Sequence, residues 1–180
     1  MKTIHPLPNL VLLLTLVGCA SLPTFTATLT STPATYADPF AYCAAVGTAD
    51  SPGPPYTGPE LPEPIINGLK KALDMPADVP QEVLQNGAFW RCMNGEVYAC
   101  FVGANLPCQE KADTERAPDE AEKAFCRENP NLDVIPMAVT GHNTVYEWHC
   151  RNGEPEIVRQ IAQPDERGFI SHIWYKIGPE

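Results

Sequence analysis

The chain has 180 residues, a formal net charge of −10 and a sequence pI near 4.8. Because no run of basic residues is longer than Lys70-Lys71, the sequence lacks the basic patch of a nucleic-acid-binding protein and excludes that class. Eleven of the 20 prolines precede residue 65, so the first third of the chain is not an ordinary globular core.

The N-terminal segment has the pattern of a secretory signal peptide. Its apolar stretch, Leu10–Val17, is much shorter than the ~20 residues that span a bilayer, and small residues follow it. The last four residues, Leu16-Val17-Gly18-Cys19, resemble the lipobox of bacterial lipoproteins. The resemblance implies that residues 1–18 are removed and that Cys19 carries a diacylglycerol. It thereby implies attachment to the outer face of the cell membrane, or to the outer membrane in a two-membrane bacterium. The alternative is an ordinary cleaved signal peptide with an incidental cysteine.

Composition divides the mature chain into three parts. Residues 19–37 are rich in threonine and carry no charge, which predicts a flexible, lipid-anchored stalk. Residues 38–64 are rich in proline and glycine and predict an extended arm. Within that arm the short apolar island Tyr42–Val46 is expected to be held to the domain by a disulfide through Cys43. The remaining residues, 65–180, are predicted to form the folded domain.

Six cysteines remain once Cys19 is set aside. An even number in an exported chain predicts a structural disulfide framework. Their spacing does not match that of zinc-binding motifs, so neither a metal nor another cofactor is predicted. The six are Cys43, Cys92, Cys100, Cys108, Cys126 and Cys150.

Three short helices are predicted in the domain. The apolar spacing of Pro64–Leu73 indicates one amphipathic helix. Asp78 and Gln81 form the pattern of a capping pair for a second helix, which ends at Asn86-Gly87. A third helix is predicted over Pro118–Glu128, before the Asn129-Pro130 stop signal.

Two hairpins share the pattern Trp-x-Cys-x-Asn-Gly-Glu, beginning at Trp90 and Trp148. Asn-Gly between apolar runs favours a two-residue turn, which fixes the pairing of the strands. The turn places Cys92 opposite Val97 in the first hairpin and His149 opposite Glu156 in the second. The predicted core faces hold Trp90, Cys92, Val97, Ala99 and Phe101 in the first hairpin, and Tyr146, Trp148, Cys150, Pro155 and Ile157 in the second.

The predicted register constrains the disulfides. Cys92 and Cys100 fall on opposite faces of the first hairpin, so they are not expected to bond to each other. Cys126 and Cys150 are both candidates for the partner of Cys92. Cys100 is expected to pair with Cys108 across the intervening loop.

A last strand is predicted over Gly168–Ile177, paired antiparallel with residues 156–161. The predicted fold is α+β, a mainly antiparallel sheet of about five strands with two or three small helices. The segments Phe89–Gly95, Val102–Cys108 and Val145–Cys150 resemble parts of exported cysteine-rich bacterial domains. That resemblance implies no activity.

Two candidate ligand surfaces follow from these elements. Alternation along the last strand turns Ile170, His172 and Trp174 outward, where they form a possible ligand surface unless the Pro-rich segment 51–64 covers them. His142 lies in a turn-rich loop, a common place for functional side chains, although it also suits a simple turn residue.

No motif for a hydrolase, phosphate-binding loop, zinc protease or calcium site is present. The sharpest enzymatic alternative is a carboxylate-imidazole cluster of Glu147, His149 and Glu156. The simpler interpretation of these three residues is a solvated sheet face with compensated charges.

The expected function is that of a non-enzymatic envelope lipoprotein that binds a protein or a glycan. The first alternative is an acidic inhibitor of a cationic cell-wall hydrolase such as lysozyme, because its negative charge would steer association with a basic enzyme. The second is an enzyme with its site near His142 or His149.

Mass spectrometry of the protein purified from membranes tests the lipobox. We expect a mature N-terminus at Cys19 that carries a diacylglycerol, because the apolar stretch is too short to remain as a membrane anchor. A mature chain that starts elsewhere, or that carries no lipid, would contradict this prediction.

Overall fold

A computed structural model describes residues 34–76, 78–102 and 107–179, which belong to one compact unit, Pro33–Glu180. The predicted signal peptide, Cys19 and residues 20–33 of the predicted stalk lie outside the described residues. The fold is α+β, as predicted. In the described part of the chain the helices are α1 (Pro39–Val46), α2 (Glu63–Ala72), α3 (Gln81–Gln85), α4 (Glu120–Glu128) and α5 (Met137–Thr140), and the strands are β1 (Ala88–Met93), β2 (Glu96–Phe101), β3 (Tyr146–Arg151), β4 (Glu154–Gln160) and β5 (Tyr175–Ile177).

The five strands form two antiparallel sheets, one ordered β1-β2-β5 and the other β3-β4. The predicted pairing of the last strand with residues 156–161 is wrong, since Ile177 pairs with Val97 of β2. Only the last three residues, Tyr175–Ile177, form a strand, and Ser171–Ile173 before them form a 3₁₀ turn. Gly68 of α2 permits this placement, since a Cβ there would lie 2.4 Å from Ile177 Cγ2.

Both hairpins have the predicted turn and register. Asn94 and Gly95 have φ values of 54° and 81°, the positive values that this turn requires. Cys92 lies opposite Val97, and His149 lies opposite Glu156. A bulge at Glu147/Trp148, which the pattern does not predict, shifts the far end of the second hairpin.

The predicted extended arm is helical over α1. Asp38 caps this helix by accepting a 2.7 Å hydrogen bond from the Ala41 amide, and Pro39 occupies the first turn. Gly47 ends the helix with a φ of 75°. The helix packs into the core through Tyr42 and Cys43, so this part of the arm is integral to the fold.

The other predicted helices form with small differences at their starts. α2 matches its prediction and buries Ile65, Ile66 and Leu69. α4 begins at Glu120, two residues later than predicted, because Asp119 and Glu122 form a reciprocal capping box. The predicted capping by Asp78 and Gln81 does not occur, since α3 begins after Pro80 without a side-chain cap.

The β1-β2-β5 sheet contributes to two cores. The first core contains the helical arm and α2, and the sheet face towards it carries four of the five residues predicted from the register of the first hairpin. The fifth, Phe101, is only half-buried and belongs to neither core. The second core contains the β3-β4 hairpin and residues 161–174 between β4 and β5, which we call the C-terminal loop. The first core includes Tyr42, Cys43, Ile65, Leu69, Trp90, Cys92, Val97, Ala99 and Ile177. The second includes Cys100, Cys108, Cys126, Ile135, Val145, Tyr146, Trp148, Cys150, Phe169, Ile170, Ile173 and Trp174.

All six domain cysteines are paired, as Cys43–Cys92, Cys100–Cys108 and Cys126–Cys150. The predicted Cys100–Cys108 bond is confirmed, and Cys43 holds the arm to the domain as expected. The prediction that Cys92 bonds Cys126 or Cys150 is wrong. Cys92 faces the first core, where α1 lies, whereas Cys126 and Cys150 belong to the second core.

Removing the disulfides one at a time, by paired Cys→Ala substitution, tests their unequal roles. The Cys43–Cys92 bond spans 49 residues, so its loss is expected to lower the free energy of unfolding by about 4 kcal/mol. The Cys100–Cys108 bond spans 8 residues, and its loss is expected to cost about 2.5 kcal/mol. Urea unfolding of both variants measures the difference, and an equal or reversed order would contradict the expectation.

Candidate functional site

The most unusual side chain in the described part of the molecule is Arg91, in the middle of β1. Its neighbours Trp90 and Cys92 point into the first core, so Arg91 points to the opposite face of the sheet. That face is also covered, and Arg91 is only 1 % exposed. A fully buried guanidinium requires partners, and it has three.

Asp165, Phe169 and Trp174 surround the Arg91 guanidinium. Nη2 donates a hydrogen bond to the Asp165 carboxylate. The guanidinium carbon lies 4.4 Å from the centre of the Phe169 ring and 4.2 Å from that of the Trp174 ring, which are cation–π distances. Nε and Nη1 of Arg91 are buried and have no hydrogen-bond partner within the described chain.

The Asp165 carboxylate is held in its charged form. Burial raises the pKa of Asp165, but hydrogen bonds from Arg91 and from the amides of Arg167 and Phe169 outweigh it and keep the pKa below its ordinary value. The same two amide bonds fix the turn that leads into Phe169. Asp165 therefore links the buried charge to the position of the aromatic ring.

Phe169 and Trp174 also line a cleft of about 500 Å³. The cleft joins four parts of the chain: the arm, the start of β1, the segment after Cys108, and the C-terminal loop. Its lining residues are Asp50, Ser51, Pro52, Glu60, Ala88, Phe89, Trp90, Cys108, Gln109, Lys111, Phe169 and Trp174. We call this site the aromatic cleft.

The two tryptophans of the aromatic cleft differ in their hydrogen bonding. Trp90 Nε1 donates to the backbone oxygen of Glu60 at 2.8 Å, which ties the arm to β1. Trp174 is 7 % exposed, and its Nε1 is buried without a partner within the described residues. Trp174 therefore carries a buried hydrogen-bond donor for which the described residues supply no acceptor.

An ion-pair network includes two residues that line the aromatic cleft, Asp50 and Lys111. Asp50 accepts hydrogen bonds from Lys111 at 2.8 Å and from Arg167 at 2.9 and 3.2 Å. The pKa of Asp50 is lowered to about 2. The hydrogen bond from Arg167 is the main cause and Lys111 adds to it, while partial burial acts in the opposite direction. The Lys111 ammonium also lies 3.4 Å from the centre of the Phe169 ring.

The prediction that Ile170, His172 and Trp174 together form an outward-facing patch is wrong. Ile170 is 5 % exposed and Trp174 is 7 % exposed, while His172 alone is exposed. The strand alternation that predicted this patch fails because the segment is a turn and a 3₁₀ helix. Residues Ser51 and Pro52 of the Pro-rich segment line the same cleft as Trp174.

His142 is exposed in the loop before β3 and does not line the aromatic cleft. Its neighbour Asn143 donates a 3.0 Å hydrogen bond to the Lys111 backbone oxygen. The His142 loop therefore adjoins the cleft segment without contributing the histidine.

The alternative cluster on the second hairpin consists of compensated charges. His149 Nε2 lies 3.4 Å from a Glu156 oxygen, and Arg151 Nε lies 3.7 Å from the same oxygen. Glu147 instead accepts two hydrogen bonds from Arg159, at 2.6 and 3.0 Å. The hairpin thus pairs Glu147 and Glu156 with different cations.

Sequence reasoning missed Arg91, Asp165, Phe169 and Lys111 as site residues. One signal was present, since β1 reads Ala-Phe-Trp-Arg-Cys-Met and is apolar on both faces. A strand of that type is buried on both sides, so its single charge must find a partner. The positions of Asp165 and Lys111 carry no comparable signal, because both lie in loops.

Among the described residues, no group of three or more His, Cys, Asp or Glu side chains is placed to hold a metal ion. No helix in residues 34–76, 78–102 or 107–179 has the length and apolar character needed to cross a membrane. No protein-family model matches the chain, and neither a curated protein nor a solved structure is detectably similar to it.

The Asp50 network predicts a loss of stability in acid. A carboxylate whose pKa is lowered on folding stabilises the fold above its ordinary pKa of 3.8, and this contribution disappears as pH falls towards 2. Asp50→Asn is expected to cost about 1 kcal/mol at pH 7, a value reduced for solvent screening of a carboxylate that is one-third exposed. The difference from wild type should shrink to near zero at pH 2.

Urea unfolding at pH 7, 4 and 2 measures these differences. Asp133→Asn provides the matched control, because Asp133 is exposed and takes part in no ion pair of the described chain. A pH-independent difference for Asp50→Asn would show that the ion pairs do not cause it.

Proposed function

We propose that the protein is an exported, lipid-anchored envelope protein that binds a small ring-bearing ligand in its aromatic cleft. The observation that carries the proposal is the cleft itself, which Trp90, Phe169 and Trp174 line together with a few polar and charged side chains. Ligand sites are typically concave, mostly apolar and equipped with a few polar groups that orient the ligand.

The size of the aromatic cleft suits this function. Its volume of about 500 Å³ lies within the range of ordinary small-molecule sites, about 300–1,000 Å³. The walls are also fixed before a ligand arrives. Trp90 is bonded to Glu60, and Asp50 is bonded to Lys111 and Arg167, so little ordering remains to be done on binding.

The lipobox supports the location of this binding site. A diacylglycerol on Cys19 would hold the domain at the membrane through at least two acyl chains, each adding about 0.8 kcal/mol per buried methylene. The intervening threonine-rich residues would place the domain away from the lipid surface. A protein arranged in this way would sample ligands of the envelope rather than of the cytoplasm.

Tryptophan indole resonances test the proposal directly, because the chain has only three tryptophans. The full-length protein, labelled with ¹⁵N and held in detergent, is titrated with methyl glucoside, indole, benzamidine and benzoate. We expect at least one probe to shift the Trp174 indole resonance and to leave that of Trp148 unchanged, since Trp148 lies outside the aromatic cleft.

Single Trp→Phe variants assign the three resonances. Trp174→Phe is expected to lower the thermal stability, because the smaller ring leaves space at a side chain that is 7 % exposed and weakens the cation–π contact with Arg91, so this variant serves for assignment only. Each probe is added up to about 10 mM, which is about tenfold above a fragment Kd of about 1 mM. If none of the four probes moves the Trp174 resonance, the proposed site is rejected.

A further inference from the structure

We infer that Glu122 makes the stability of the domain respond to pH, because it takes up a proton in mild acid and thereby strengthens the attachment of α4 to the rest of the fold. This inference does not rest on the proposed function, since Glu122 lines a different cavity from the aromatic cleft. It follows from four carboxylates that converge on one small cavity without a basic residue.

Glu122 is a buried carboxylate with little compensation. It lies in the first turn of α4 and is only 6 % exposed. Its Oε2 accepts a 3.0 Å hydrogen bond from the Asp119 amide, which is the only hydrogen bond to this carboxylate within the described chain. A charge buried to this extent is ordinarily matched by an opposite charge.

The cavity beside Glu122 supplies no opposite charge. It has a volume of about 60 Å³, and three further carboxylates line it without any lysine, arginine or histidine. We call these residues the carboxylate cluster, namely Asp113, Glu115, Asp119 and Glu122. The rest of the lining consists of Ala117, Thr140, Thr144 and Trp148, whose side chains do not titrate.

The charged residues around the cluster are committed elsewhere. Lys123 is bonded to Glu120 at 2.9 Å, and Glu154 of β4 acts on Lys123. The Arg116 guanidinium lies 5.1 Å from the centre of the Tyr146 ring and donates a hydrogen bond to its hydroxyl. The other charged residues of β4 belong to the ion pairs of the second hairpin, and α5 carries no charge. Glu122 is therefore surrounded by like charge.

Burial and like charge both favour the protonated form of Glu122. Burial is the larger cause, and Asp119 and Asp113 add to it, so the pKa of Glu122 is raised although the Asp119 amide bond acts against the rise. The folded protein thus binds this proton more tightly than the unfolded chain. Its stability rises as pH falls through the raised pKa, and the gain is complete below the ordinary pKa of 4.5.

The carboxylate cluster joins α4 to the start of β3. Asp119 and Glu122 cap the helix, while Asp113 exchanges backbone hydrogen bonds with Asn143 and Val145, just before the strand. Repulsion within the cluster acts against this junction. A proton on Glu122 removes one of the four charges and gives the carboxyl an O–H that can donate to a neighbouring carboxylate.

Urea unfolding of the full-length protein in detergent, with EDTA present, compares Glu122→Gln with wild type. Glutamine keeps an acceptor for the Asp119 amide but cannot ionise, so it mimics the protonated carboxyl. We expect Glu122→Gln to be more stable than wild type at pH 7, by a difference that shrinks towards zero at pH 4.5.

Glu120→Gln is the matched control in the same turn of α4. Glu120 is exposed, and its bond to Lys123 lowers its pKa, so this variant is expected to be less stable than wild type at pH 7. Equal or lower stability of Glu122→Gln at pH 7, including a failure to fold, would overturn the inference. A stability difference that does not change with pH would also overturn it.

Carbon-13 NMR of the side-chain carboxyls follows the titration of Glu122 directly in the wild type. Asp113→Asn removes a neighbouring charge and keeps the oxygen that accepts from the Glu115 amide, so the Glu122 midpoint is expected to shift to lower pH. Asp133→Asn, outside the cluster, should leave the midpoint unchanged. A wild-type midpoint at or below 4.5, or one that Asp113→Asn does not lower, would overturn the inference and leave the proposed function standing.

Discussion

The buried Arg91 guanidinium is the interaction on which the rest of the site depends. Removing a cation from water costs several kcal/mol even after relaxation, so the fold must compensate it locally. Asp165 supplies the countercharge, and Phe169 and Trp174 supply electron-rich faces within 4.4 Å. Because these partners all come from residues 165–174, Arg91 draws the C-terminal loop onto the middle of β1. The loop brings the two rings that become walls of the aromatic cleft.

The opposite face of β1 is held by a covalent constraint. The Cys43–Cys92 disulfide attaches α1 to this strand, and Ala49 continues the attachment by exchanging two backbone hydrogen bonds with Cys92. The next residue in the chain is Asp50, which therefore reaches Lys111 and Arg167. One strand thus fixes both the arm and the C-terminal loop, and the aromatic cleft forms where they meet.

Local signals explain which parts of this arrangement could be predicted from the sequence. The Asn-Gly turns set the hairpin registers because they depend on two adjacent residues, and the register in turn excluded a Cys92–Cys100 bond. The partner of Cys92 could not be predicted, since it depends on how α1 packs against the sheet. Trp174 was placed on a ligand surface, but its exposure was inferred from a strand that is a 3₁₀ turn. The contacts of Arg91 join distant segments and leave no periodic pattern.

Asp50 and Lys111, the ion-paired residues of the aromatic cleft, are poorly suited to general acid–base catalysis. General acid–base catalysis uses a group whose pKa lies near the working pH. Asp50, with a pKa of about 2, stays ionised and is committed to two cations. The three histidines of the described chain lie outside the cleft lining, and its basic residue is occupied by Asp50. Glu60 also lines the cleft as an exposed carboxylate, and the rest of the lining offers apolar area and hydrogen-bonding groups.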